Sequence, residues 1–95
     1  MTADAKLLKQ NLKIDYPDED ELIEELVTQA RAAAEDYLGR EYPEGATPPQ
    51  MRAAVQLWAG FFFEHRSGVE MKEFKAMETA FQRILYPIRE TDVMI

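Results

Sequence analysis

PPQMRAAVQLWAGFFFEHR, residues 48–66, holds the single tryptophan and three of the five phenylalanines of this 95-residue chain. Pro48 and Pro49 suit a helix start, because proline leaves no N–H unpaired in a first turn. Ser67-Gly68 supplies a stop. At about 100° per residue, Met51, Val55, Trp58, Phe62 and His65 fall on one face, with Ala54 and Phe61 beside them. Arg52, Gln56, Gly60 and Glu64, spaced by four, form a thin polar stripe on the back. A helix this apolar belongs in the middle of a small bundle, with Trp58 at the centre of its buried face. Leu57 flanks the polar stripe. Phe63 lies between Arg52 and Gln56, on the side that this geometry leaves wet, where another chain would cover it.

The segments on either side read as helices that pack around this one. Thr2 caps a short first helix over residues 3–12, with an apolar edge of Leu7, Leu8 and Leu12 and a basic edge of Lys6, Lys9 and Lys13. Ten residues make a marginal helix unless it docks on something. Pro17 turns the chain, and Asp18 then caps a second helix running to about Leu38, with Glu21 at the capping-box position. Its residues Leu22, Ile23, Leu26, Val27, Ala30, Ala33, Ala34, Tyr37 and Leu38 share an arc of about 160°. The alanines let another helix approach closely, and Gly39 ends the helix. REYPEGAT, residues 40–47, is a loop by its proline and glycine. A last helix runs from Val69 or Lys72 to Leu85, with Phe74, Met77, Phe81, Ile84 and Ile88 at a strict 3–4 alternation. Pro87 is expected to terminate it. The apolar tail Val93-Met94-Ile95 either frays or packs on something. The expectation is an all-α fold: one domain spanning residues 1–95, a small bundle of about four helices around a central apolar helix.

Composition narrows the function by exclusion. No cysteine is present, so disulfides and thiol chemistry are ruled out. No apolar run approaches the ~20 residues that span a bilayer, and the N-terminus lacks the apolar core of a signal peptide, which points to a cytoplasmic chain with no membrane partner. The net charge of −7 is concentrated: residues 1–14 carry +2, and residues 15–25 carry seven acids and no base. A protein gripping nucleic acid by its phosphates needs the opposite sign. The acidic run 15–21 lacks the carboxylate spacing and the glycine of a calcium loop, and its acids oppose the dipole of the helix they precede. His65 is the only histidine, so no His/Cys metal site can be built, and it reads as a structural residue at the end of the bundle. Glu64 and His65 are adjacent and point to different faces, and no glycine loop cradles a phosphate. The expectation is that the chain is not an enzyme and takes no metal or cofactor.

The order of these parts carries a resemblance. A short helix leads into Leu12-Lys13-Ile14-Asp15; an acid-led helix closes in Tyr37-Leu38-Gly39-Arg40; a Pro-led helix runs from Ala53-Ala54 to Phe62-Phe63-Glu64-His65-Arg66; and Pro87-Ile88-Arg89 follows. Over residues 6–89 the chain resembles the small head–tail connector proteins of tailed bacteriophages, departing from their pattern between Gly68 and Ala80 and at Met94-Ile95. The resemblance implies a structural virion protein at the head–tail junction, present in the host cytoplasm during assembly. It implies a ring homo-oligomer, dodecameric in the virion, under the portal protein. That ring extends the DNA channel and docks a tail-side connector or stopper protein, and DNA passes through without sequence-specific binding. The expected subunit and portal interface comprises Lys6, Lys9, Lys13, Arg52, Phe63, Arg66 and Arg89, with the three lysines meeting the acids of residues 15–25 on a neighbouring copy. The alternative is a small cytoplasmic regulator that binds one partner helix through the Phe63 side or the C-terminal tail.

Overall fold

A computed structural model describes the backbone of residues 1–93 and the side chains of residues 1–89. Its helices are α1 (Ala3–Leu12), α2 (Asp20–Leu38), α3 (Pro49–Glu64) and α4 (Met71–Val93), with one 3₁₀ turn at Glu44–Ala46. The fold is all-α among the described residues, as expected. The tail Met94-Ile95 and the side chain of Val93 lie outside them.

Most helix ends fall where local chemistry puts them. The Thr2 hydroxyl accepts the Ala5 N–H at 3.2 Å, capping α1. It also donates to Glu24 Oε1 at 2.8 Å, so the cap is itself fastened to α2. α1 closes on Lys13 in the left-handed region (φ 59°), with the Ile14 N–H reaching back to the Lys9 carbonyl at 3.0 Å. Gly39 (φ 75°) closes α2 in the same way, its N–H 2.8 Å from the Glu35 carbonyl. Pro49 opens α3.

Three expected ends are corrected. α3 stops at Glu64 with His65 as its cap, short of Ser67-Gly68. Asp18 does not cap α2, and no capping box with Glu21 forms. The Pro17 carbonyl accepts the Asp20 N–H at 3.1 Å, which leaves Asp18 in a turn, and α2 starts at Asp20 behind Glu19 with no side-chain cap. Pro87 does not end α4, which runs through it to Val93. Leu85 is buried and Ile88 packs on the core on either side of that proline, while Pro87 itself and Arg83 lie on the exposed face. Tertiary packing therefore holds the helix together where proline removes one bond.

α3 is the hub. It packs most extensively on α2, and also on α4 and on α1; no contact joins α1 to α4 among the described residues. The buried face of α3 is rotated from the expected one. Met51, Ala54, Val55 and Ala59 are fully buried, whereas Trp58, Phe62 and His65 are half-buried at its edge. The cause is small-residue packing. Ala30 and Ala34 of α2 and Ala54 and Ala59 of α3 all lie in the buried core, where small residues let backbones approach closely, while the Trp58 ring stands against Phe74 and Phe81 of α4. The polar back of α3 is covered in part, although Glu64 is exposed. α1 lies over it: Leu8 Cδ1 is 3.7 Å from where a Cβ on Gly60 would sit, and Gln56 donates to the Asp4 carbonyl at 2.9 Å while accepting from Asn11 at 3.0 Å. The molecule is a flat slab, 44 × 33 × 17 Å, with a radius of gyration of 13.4 Å.

Candidate functional site

The expected interface residues divide by what already holds them. Lys6 on α1 and Lys13 at its C-terminal cap are exposed and have no partner among the described residues. Lys9 is engaged within the chain, 2.6 Å from Asp20. Arg66 pairs with Glu19 at 2.9 Å and lays its guanidinium over the Phe63 ring, 4.4 Å from the centroid. Phe63 is half-buried against the chain's own core. Arg52 Nε stands 3.5 Å from Asp4, and Arg89 lies over the Tyr37 ring at 4.8 Å. The acids of residues 15–25 are thus partly engaged at home: Glu19 and Asp20 are neutralised by Arg66 and Lys9, and Glu24 accepts hydrogen bonds from Thr2. Asp15, Asp18 and Glu21 remain exposed.

The sequence reading missed the ionic cluster beneath α1. Asp4 is only 1% exposed and is gripped by Arg31 Nη1 at 2.9 Å. Arg31 also donates to the Thr47 hydroxyl at 3.1 Å and to the Tyr42 carbonyl at 2.9 Å. One guanidinium therefore ties α1, α2 and the α2–α3 loop together, and Arg52 and Gln56 bring in α3. The available signal was Asp4 standing four residues before Leu8, a charge in register with an apolar edge. A buried pair of this kind fixes geometry more than it adds stability.

His65 closes the other end of α3. Its Nδ1 is 2.8 Å from the Phe61 carbonyl and its Nε2 is 2.8 Å from Glu73 on α4, while its ring stacks on Phe61. Both contacts are to acceptors, so the imidazolium, which donates from both nitrogens, fits best. The Phe61 carbonyl, followed by Glu73, holds its pKa above the usual 6.5. With both nitrogens occupied, the ring is a clip between α3 and α4 rather than a base aimed at a substrate. Among the described residues no three His, Asp or Glu side chains group to hold a metal ion, and no helix is long and apolar enough to cross a membrane.

Two of the surface concavities reach α3. A cleft of about 220 Å³ opens between α2 and α4, floored by Trp58 and Phe81, walled by Ala33 and Tyr37, and rimmed by Asp36 and Glu78. A shallower apolar groove of about 320 Å³ lies between Leu22 and Leu26 of α2 and Phe62 of α3, beside His65 and Arg66. Neither resembles an enclosed small-molecule site, and the unused chemistry of the molecule lies on its outer faces.

A family model described as phage gp6-like head–tail connector protein matches residues 3–89. No curated protein and no solved structure matches the chain.

Proposed function

The chain belongs to the phage gp6-like head–tail connector family, and on that premise we propose that it closes a ring under the portal, extends the DNA channel and docks the next tail-side protein. Membership itself carries the coarser statement: a structural connector of the virion, associated with portal and tail proteins. The observation that best supports a ring is the inequality of the subunit's two edges. α1 and α4 flank α3 without touching, and they carry different chemistry. A ring needs a heterologous interface in which one patch meets a different patch on the next copy, and unlike edges on a flat slab suit it. On this reading the chain acts as one domain, assembled in the host cytoplasm. Lys6 and Lys13 contribute from the surface, Arg89 from over the Tyr37 ring, while Lys9, Arg52, Phe63 and Arg66 first serve the subunit's own packing. A net charge of −7 suits a channel wall along which DNA slides rather than binds.

The test is a cryo-electron-microscopy reconstruction of the portal vertex from purified particles. The expected result is a ring of this chain between portal and tail. Particles that contain the portal and tail but not this chain at their junction would overturn the reading.

A further inference from the structure

We propose that the cleft between α2 and α4 is the socket for one lysine from the α1 edge of the adjacent copy, Lys6 or the capping Lys13; the inference rests on the ring reading above and specifies its contact. The cleft is built for a cation. Asp36 and Glu78 stand at its rim, Glu78 half-buried, and among the described residues neither has a hydrogen-bond or ion-pair partner. Several other acids of the chain are already taken: Glu19, Asp20, Glu24, Glu35 and Glu73 all hold partners. The floor is aromatic. An ammonium over Trp58 is attracted by the ring face, and the methylene stem of a lysine covers apolar surface on the way in. The wall residue Tyr37 already accepts one cation, Arg89 of its own chain. A volume of about 220 Å³ admits one long side chain, not a helix.

Charge complementarity selects a second copy as the source. Lys6 and Lys13 are exposed and unpaired among the described residues, whereas Lys9 is bound to Asp20. They project from the element that never meets α4, so within one chain they stand across α3 from the cleft. Joining this edge of one subunit to the cleft of the next makes a head-to-tail contact, which repeats around a ring. The other exposed unpaired cations, Lys72, Lys75 and Arg83, lie on α4, the wall of the cleft itself. A contact through those would pair α4 with α4 and close a two-fold dimer.

Zero-length carbodiimide cross-linking of the portal-bound assembly, formed from an equal mixture of ¹⁴N and ¹⁵N chains and read by mass spectrometry, tests this. The expected products join Lys6 or Lys13 to Asp36 or Glu78 in peptides of mixed isotope. As a second arm, Asp36→Lys with Glu78→Lys should raise the concentration needed for assembly by about tenfold or more. Adding Lys6→Glu with Lys13→Glu in the same chain should restore it. Should the reversed cleft misfold by circular dichroism, the cross-links on the unsubstituted protein still decide. Cross-links from Asp36 and Glu78 to portal lysines alone, or a folded reversed-cleft protein that assembles like the parent, would overturn the socket and leave the ring reading standing. An unsubstituted chain that forms no ring on the portal would overturn both.

Discussion

The two flanks of α3 are held by different physics. On the α4 side, Trp58 meets Phe81, Phe62 and Phe74 with ring centroids 4.9, 5.3 and 6.0 Å apart, tilted or edge-on. Such contacts are apolar, only loosely directional, and tolerant of shape. On the α1 side, a ten-residue helix too short to persist alone is fixed by Leu8 and Ala5 and by the Asp4–Arg31 pair with its Thr47, Tyr42 and Gln56 bonds. That flank depends on charge and on the exact partner. The lesson is that one helix can be hub to both kinds of interface because its small residues face α2, leaving its edges to specialise.

The largest effects come from emptying either flank. Phe81, 2% exposed, replaced by Ala should cost about 3–5 kcal/mol in denaturant unfolding, the usual loss for a buried ring. Asp4→Ala should cost a comparable amount, about 3–5 kcal/mol, because it leaves Arg31 without its carboxylate in a mostly buried place. Trp58→Ala should cost less than Phe81→Ala, because Trp58 is only partly buried; a larger loss at Trp58 would move the centre of the core back to that ring.

Conservative changes separate the flanks. Phe81→Leu keeps an apolar filler and should cost roughly 1–2 kcal/mol. Asp4→Asn keeps shape but loses the charge, and should cost roughly 2–3 kcal/mol. If Asn is tolerated better than Leu, the ionic flank is held by packing and the contrast collapses.

Much of the fold was legible because it is local. The Thr2 cap, the Gly39 stop, the Pro49 start and the apolar arc of α2 are each set by residues within a turn or two. What escaped is non-local. Asp4 and Arg31 are 27 residues apart, and no pattern in either helix announces the other. Pro87 obeys its local rule less than the burial of Leu85 beside it. The rotation of α3 follows from which helix supplies alanines, a property of the pair. For the candidate interface residues the sequence gives types but not occupancy: only the fold shows that Lys9 and Arg66 are spoken for at home while Lys6 and Lys13 have no partner among the described residues.

Smaller effects test the junctions between flanks. The His65 pKa is raised in the fold, so its contribution is fully present below about 6.5, the unfolded value, and is lost as pH rises through the higher folded value. Stability should therefore decline across that window, and His65→Gln should abolish that part of the decline. As the only histidine, His65 can be titrated by proton NMR without assignment ambiguity; a pKa at or below 6.5 would remove the clip. Smallest of all, Lys9→Ala should cost under about 1 kcal/mol, since the Lys9–Asp20 pair is partly exposed and screened by salt.

The central claim is that unlike flanks make a subunit that repeats head to tail. Native mass spectrometry of the chain assembled on its portal tests it most directly. The account predicts one discrete complex carrying a fixed ring complement of this chain. A single copy per portal, or copies arriving as separate two-fold dimers, would contradict it.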